Sequence, residues 1–367
     1  MTAREAVLTA GWEHLVRPVL FGLGGGDAET AHHTTLQWSA ALQGVPGAMT
    51  ALAAVTGGIA PGHTVRPGEG VTVAGITFPH RVGLAAGADK EGTALLAWQA
   101  LGLGHVELGT VTPRPQPGNP RPRMHRLPAS GAVINSMGFP NAGVHSAVLR
   151  LREARAAGLT IPVGLSIGKN KDTPLESALE DYATCVRVAA GLPDYLAVNI
   201  SSPNTPGLRG LQDPEPLERL LAGVVQAEAD RARAAGTASV PVFCKVAPDM
   251  DDEALAGATR IAREAGVAGM VATNTTLART GLAPQDAAWV SAEQPPGGLS
   301  GAPLTARARE AVAVVAGASD LPVIGVGGVM TPADAVALRE AGAALVQVYS
   351  GFVFAGPALV AGAAARA

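Results

Sequence analysis

The sequence predicts an α/β protein built as a (β/α)8 TIM barrel with an N-terminal helical extension, and three observations carry that expectation. From Val82 onward, short runs rich in Val, Ile, Leu and Ala alternate with longer Ala-rich amphipathic segments, the pattern of a parallel sheet covered by helices. Eight such runs stand in order: VGLAA from Val82, HVELGTV from His105, PVGLSI from Pro162, YLAVNI from Tyr195, VFCKV from Val242, GMVATN from Gly269, PVIGVGG from Pro322 and LVQVYS from Leu345. Eight strands, each followed by a helical stretch, imply a closed barrel rather than an open sheet. Apolar residues make up 47% of the chain and aromatics only 4%, so its hydrophobicity is mostly aliphatic, as suits packed helices and parallel strands.

The elements follow in chain order. Val7, Leu8, Trp12, Leu15, Val16, Val19 and Leu20 recur at helical spacing, and Asp27 is placed to cap a second helix running through His32, Leu36 and Trp38. A third short helix is expected from Pro46 to Val55. These helices, over residues 1–60, form the extension, and residues 61–367 form the barrel. One reading of the extension is helices that simply pack on the barrel; the other is an accessory domain resting on a membrane surface, with Trp12 and Phe21 among aliphatics. GLGGGD at Gly22–Asp27 follows no strand, so it reads as a loop and not a dinucleotide fingerprint. VTVAGITF, Val71 to Phe78, reads as a hairpin turning at Ala74-Gly75 and capping the lower mouth of the barrel. Two connections far exceed the usual 2 to 6 residues, one after the second barrel strand and one through QPPGGLSG after the sixth. Both leave C-terminal strand ends, where barrels carry their active sites.

Composition narrows the possible functions. The 27 basic and 30 acidic residues nearly cancel, so no polyanion-binding surface for nucleic acid is expected. Cys185, in a helical pattern, and Cys244, in a strand, lack metal-ligand spacing and read as reduced structural thiols. No apolar run reaches the roughly 18 to 20 residues of a membrane span, so any membrane contact is expected to be peripheral.

Polar residues at the ends of apolar strands form the list of candidate site residues. The first strand ends in AAGADKEG with Lys90, the second in GTVTP with Thr110, the fourth in NISSPN; the fifth carries Lys245, and the sixth ends in TNTT. Lys245 reads either as a salt-bridged core lysine or as a functional one, because an unpaired buried ammonium costs several kcal/mol. Asn274 reads as a helix cap or as a ligand contact. Gly327-Gly328 after the seventh strand, with Tyr349-Ser350 after the eighth, lie where barrels bind phosphate through bare backbone N–H groups. A wall lysine, a phosphate cup and several asparagines suit flavin mononucleotide (FMN) and a substrate ring of alternating C=O and N–H groups. No metal-binding pattern competes, and no metal is expected.

In ten ordered segments, GLAAGADKEG, ELGTVTPRPQPGNPRPR, INSMGF, IGKNKDTP, NISSPNTPGLR, KVAPD, ATNTT, GGLSG, IGVGG and LVQVYSG, the chain resembles the dihydroorotate dehydrogenases, specifically the class 2, quinone-dependent, membrane-associated form. The resemblance implies oxidation of (S)-dihydroorotate to orotate in pyrimidine synthesis, with one FMN per chain and ubiquinone or menaquinone as acceptor. It implies that Ala86, Gly87, Ala88, Asp89, Lys90, Thr110, Ser166, Asn199, Lys245, Thr273, Gly301, Gly328, Tyr349 and Ser350 line the flavin. Substrate contacts fall to Lys90, Asn135, Ser136, Met137, Gly138, Phe139, Asn199, Asn204, Asn274 and Thr275. Ser202 takes the place of the base that removes the C5 proton as hydride leaves C6 for flavin N5; class 1 relatives carry cysteine there. Strand parity alone leaves Ser201 and Ser202 equivalent. The N-terminal helices match the extension that forms the quinone tunnel, with His32, Arg126 and Tyr349 near the quinone head. The same resemblance implies a monomer held peripherally on the cytoplasmic face of the cell membrane. Three positions depart from the usual pattern: Ser136 and Pro140 replace arginine and asparagine, and Ser166 replaces asparagine.

Two alternatives remain in view. A class 1 type enzyme using fumarate or NAD is expected to carry cysteine at position 202 and to lack the N-terminal helices. A catalytically silent barrel serving as an assembly partner is expected to have lost Ser202 or Lys245. Neither expectation matches the residues present.

Overall fold

The computed structural model describes residues 2–64 and 69–367. Its strands, in chain order, are β1 (Val71–Val73), β2 (Ile76–Phe78), β3 (Val82–Leu84), β4 (Val106–Val111), β5 (Met124–Leu127), β6 (Ala132–Asn135) and β7 (Val163–Ile167). They continue as β8 (Tyr195–Asn199), β9 (Val242–Val246), β10 (Gly269–Ala272), β11 (Gly298–Gly301), β12 (Val323–Val326) and β13 (Ala343–Val348). Strands β3, β4, β7, β8, β9, β10, β12 and β13 form a closed parallel barrel, the last pairing with the first. All eight expected runs are barrel strands. Most are buried on both faces, between the barrel interior and the surrounding helices, and this is why they read as continuous apolar runs rather than alternating ones.

The expected hairpin is β1–β2, with Val73 opposite Ile76. Ala74 and Gly75 both have positive φ, 49° and 80°, the backbone of a tight two-residue hairpin turn. Val73 and Phe78 pack with the inward residues Tyr195, Phe243, Val271, Ile324 and Leu345, so the hairpin closes the N-terminal mouth with apolar side chains. The opposite mouth is walled by a feature the sequence did not announce. The two long connections meet there in an antiparallel sheet in which β6 pairs with both β5 and β11, bringing Met124 and Gly298 opposite Asn135.

In the extension, α1 (Ala3–Gly11) runs through a π-helical turn at Trp12–Val16 into α2 (Arg17–Gly22). Then come α3 (Ala28–Gln43) and α4 (Ala48–Thr56). Asp27 caps α3 as expected, accepting from Thr30 N at 2.7 Å. The apolar stripe of the first two helices is divided. Leu8 is buried and Trp12 donates to Phe354 O at 3.0 Å, whereas Val7, Leu15, Val16 and Val19 face outward. Glu5 pairs with Arg366 at 3.0 Å, and Glu29 on α3 is buried against Arg123 of the β4–β5 connection at 2.7 Å. No helix among the described residues is long and apolar enough to cross a membrane.

Candidate active site

The C-terminal barrel mouth forms a cavity, partly open to solvent, with about 680 Å³ of empty space and many polar side chains in its wall. Of the residues expected around a cofactor, Ala86, Gly87, Lys90, Thr110, Asn199, Lys245 and Tyr349 line it. Of those expected around a substrate, Asn135, Met137, Gly138, Phe139, Asn204, Asn274 and Thr275 line it, and so does Ser202. These side chains are separated by up to 263 residues along the chain, from Ala86 to Tyr349, and only barrel closure brings them together.

The remaining expected residues do not line this cavity. Asp89 is fully buried, and its carboxylate accepts from Thr93 N and Ala94 N at 2.8 Å and from Trp98 Nε1 at 3.0 Å. Burial pushes this carboxyl up, and the three donors offset part of that rise. Its place is to fix the loop that presents Lys90. Ser136 is buried, with its carbonyl accepting from Asn119. Ser166 shares a 2.8 Å hydrogen bond with Thr110, which in turn accepts from Asn199 Nδ2 at 2.7 Å, so the shorter side chain supports the cavity wall from behind. Thr273 binds the Asn274 and Val326 carbonyls. Gly301 and Gly328 are backbone positions with φ of 95° and 65°; a Cβ on Gly328 would meet Thr305 Cα at 2.3 Å. The turn after β12 packs on the start of the helix Ser350–Ala355 that follows β13, where a Cβ on Gly351 would meet Val329 O at 1.8 Å. Met124 and Ser300, which the sequence reading missed, line the cavity from the β5–β6–β11 sheet.

The serine pair separates in three dimensions. Ser201 is fully buried, with Oγ accepting from Asn274 Nδ2 at 3.0 Å and bonded to Asn199 Oδ1 at 3.3 Å. Ser202 lines the cavity, and its Oγ accepts from Asn204 N at 3.2 Å. The loop is pinned by Arg209, which donates to Ser201 O at 3.1 Å and to Thr275 O at 3.3 Å while pairing with Asp249 at 2.8 Å.

The cavity's charges are cationic. Lys90 donates to Gly87 O at 3.1 Å, and burial lowers its ammonium to about 8. Lys245 is buried 3.5 Å from Glu107, so it is both an ion-paired core lysine and a cavity residue. Asn204 Oδ1 and Thr275 Oγ1 are buried without a hydrogen-bond partner among the described residues. Unmet acceptors beside two ammonium groups fit a planar, polar, anionic ligand set such as a flavin and a carboxylated pyrimidine. Among the described residues no cluster of His, Cys, Asp and Glu has the arrangement of a metal site.

A second cavity of about 900 Å³ lies between the extension and the barrel, lined chiefly by apolar residues such as Leu20, Ala31, Trp98 and Phe352. Ala88 and Ser350, expected near the flavin, line this one, together with His32 and Arg126. Burial and the nearby Lys90 charge bring the His32 imidazole down to about 3, so it is neutral. Arg126 donates to Phe21 O at 3.0 Å and Gly26 O at 2.7 Å, and its guanidinium lies 4.3 Å from the Phe21 ring centre. Tyr349, Met124, Asn135 and Ser300 line both cavities and form their common wall. Burial pushes the Tyr349 phenol up to about 12, so it too is neutral.

Comparison with known proteins places this arrangement. The family model described as dihydroorotate dehydrogenase matches residues 70–363. A Salinispora arenicola protein named dihydroorotate dehydrogenase (quinone) is 52% identical over 97% of this chain and 98% of its own. A Chloroflexus aurantiacus protein of the same name is 48% identical over 94% of this chain and 92% of its own. Among solved structures, the Eimeria tenella DHODH in complex with ferulenol superposes with a TM-score of 0.80 at 32% identity, covering 96% of this chain and 93% of that one. The family model covers the barrel, and the two relatives cover most of the preceding helices as well: the chain belongs to the dihydroorotate dehydrogenase family.

Proposed function

We propose that this protein oxidises (S)-dihydroorotate to orotate in pyrimidine biosynthesis and passes the electrons through one bound FMN to a membrane quinone. The observation that carries the reading is the shared wall at Tyr349: a polar cavity with two ammonium groups and Ser202 lies on one side, and an apolar cavity under amphipathic helices lies on the other. The relatives named dihydroorotate dehydrogenase (quinone) support the same acceptor.

When bound, the flavin supplies a two-electron acceptor for the C6 hydride and a donor to the quinone. Ala86, Gly87, Thr110, Asn199 and Lys245 hold its ring, and the backbone about Gly301, Gly328, Tyr349 and Ser350 holds its phosphate. Lys90 receives the substrate carboxylate in a charge-assisted contact. Asn135, Asn204, Asn274 and Thr275 orient the pyrimidine ring, with the unpaired Asn204 Oδ1 and Thr275 Oγ1 accepting from its N–H groups. Ser202 Oγ takes the C5 proton. Among the described residues, Lys90 and Lys245 are the only ionisable groups lining the cavity besides Tyr349, so no carboxylate or imidazole among them lines it beside Ser202. Its proton leaves through hydroxyls or water as charge develops on the substrate.

Residues 1–60 act as the quinone-access unit and residues 61–367 as the FMN barrel. The outward Leu15, Val19 and Trp38 rest on the cytoplasmic surface of the cell membrane, His32 and Arg126 meet the quinone head, and the protein works as a monomer. The test is purification, a visible spectrum, and turnover of dihydroorotate with a short-chain quinone, fumarate or NAD. A yellow protein that reduces the quinone is expected; a colourless protein, or turnover with fumarate and not quinone, overturns the proposal.

A further inference from the structure

Beneath the polar cavity the barrel interior holds a second polar layer, centred on Glu107, for which the mechanism above has no use. Glu107 lies on β4, level with Gly164 of β7, which is itself paired with Tyr195 of β8. Lys245 on β9 is paired with Asn199, farther along the strands, so it stands between Glu107 and the cavity. The Glu107 carboxylate is fully buried. Its Oε2 accepts from Tyr195 OH at 3.2 Å and from Gln347 Nε2 at 3.1 Å, and its Oε1 faces Lys245 Nζ at 3.5 Å. Gln347 also donates to Tyr195 OH at 3.2 Å, which closes a ring of partners around the carboxylate.

Apart from this ring, the interior toward the β1–β2 hairpin is apolar, with Phe78, Phe243, Val271, Ile324 and Leu345 packed in one cluster with Tyr195. His105, also buried, contributes no charge, since burial brings its imidazole down to about 3. Lys245 is therefore the one cation bonded to Glu107 among the described residues, and Tyr195 and Gln347 are neutral donors. A buried carboxylate 3.5 Å from an ammonium that also faces the cofactor cavity does more than fill space, because charges in a low-dielectric interior act over several ångströms with little screening.

We propose that Glu107 is a positioning and charge-balancing residue that divides the Lys245 charge between itself and the flavin, and so sets how readily the flavin accepts and gives up electrons. The inference rests on the flavin reading above. Two-electron reduction of a flavin with uptake of one proton leaves a net negative charge on the ring, which a free Lys245 ammonium stabilises and a Glu107-paired one stabilises less. Glu107 thereby keeps the reduced cofactor reactive enough to pass its electrons to the quinone, while its hydrogen bonds keep the Lys245 stem extended toward the cavity.

The experiment is a dye-equilibration redox titration of flavin-loaded wild type, Glu107→Gln, Glu107→Asp and Tyr195→Phe. Removing the carboxylate charge in Glu107→Gln is expected to stabilise reduced over oxidised flavin about tenfold, an upward shift of about 30 mV for a two-electron couple. Glu107→Asp, which keeps the charge but draws it back by one methylene, is expected to move in the same direction by less. Tyr195→Phe removes a neutral hydrogen bond and keeps both charges; it is expected to lower thermal stability while leaving the flavin equilibrium within about twofold of wild type. A yellow Glu107→Gln protein with an unmoved or lowered potential overturns the inference, as does a Tyr195→Phe shift as large as that of Glu107→Gln, which would mark a structural role only. If Glu107→Gln does not retain flavin, Glu107→Asp decides, and no upward shift in it overturns the inference. A colourless wild type is a separate result, which removes the flavin reading itself.

Discussion

Glu29 makes one of the buried contacts that join the extension to the barrel, and Glu29→Gln tests how much it carries. Glu29 on α3 is 2% exposed and Arg123 is 6% exposed, with Arg123 Nη2 at 2.7 Å and Nε at 3.1 Å from the two carboxylate oxygens. Arg121 adds a third contact at 3.0 Å, but its side chain is largely in solvent, so it contributes under about 1 kcal/mol. The substitution leaves Arg123 charged and buried with neutral acceptors alone, the new amide oxygen and the Pro117 and Asn119 carbonyls at 2.7 and 2.6 Å, and sets an amide NH2 against it where a carboxylate oxygen stood. Breaking one side of a buried pair costs about 3–5 kcal/mol, and at roughly 2–4 °C per kcal/mol the melting temperature should fall by about 6 °C or more. The pH dependence has a defined sign. Burial works against the Glu29 charge, but the Arg123 hydrogen bonds and the charges of Arg123 and Arg121 outweigh it and hold the carboxyl below the usual range. Its stabilisation is therefore fully present above the unfolded value of about 4.3 and is lost as pH falls through the lowered one. Thermal unfolding at pH 7 and well below pH 4, with turnover at pH 7 measured using a short-chain quinone and using a soluble dye, reads both effects. The variant should lose quinone turnover more than dye turnover, and its deficit in stability should shrink at the lower pH. A melting temperature at pH 7 equal to wild type would refute the reasoning.

Three further outcomes are expected. Ser202→Ala should retain flavin while slowing flavin reduction by dihydroorotate by a factor on the order of 10² or more; stopped-flow absorbance checks this, and unchanged reduction removes the serine from its role. Because burial lowers Lys90 to about 8, its charge is lost as pH rises through that value, so kcat/KM for dihydroorotate should fall above about pH 8. A flat pH profile to pH 9 counts against carboxylate binding by this lysine. Leu15, 70% exposed, and Val19, 56% exposed, should anchor the extension on lipid; replacing both with Asp should weaken sedimentation with anionic vesicles at least tenfold and leave dye-coupled turnover unchanged. Equal sedimentation would move the membrane surface elsewhere on the protein.

How far the site could be read from the sequence differed by residue. Polar residues at strand ends, such as Lys90, Thr110, Asn199 and Lys245, stood out because a parallel barrel strand is otherwise apolar, and all four line the cavity. Asp89 was expected at the flavin through the family resemblance, yet its carboxylate turns to Thr93, Ala94 and Trp98. Adjacent loop residues point in different directions, and no sequence period governs them once the strand has ended. Met124 and Ser300 went unnoticed since neither lies on a barrel strand, and the sheet that carries them joins segments more than 160 residues apart. Glu107 was hidden inside a strand whose neighbours on either side are aliphatic. Its only available signal was that Lys245, also within a strand, required a partner.

The sequence by itself determined the barrel, the helical extension and the family, because periodic apolar runs and an ordered series of strand-end motifs are local properties of a chain. Tertiary structure alone decided that Ser202 faces the cavity while Ser201 is engaged by Asn199 and Asn274, that Tyr349 stands between an amide- and ammonium-lined cavity and a more apolar one, and that Glu107 meets Lys245. The physical reason is the same in each case. Strand alternation assigns a side chain to the inside or the outside, but which distant residue it meets there follows from the register in which β4, β8, β9 and β13 close the ring.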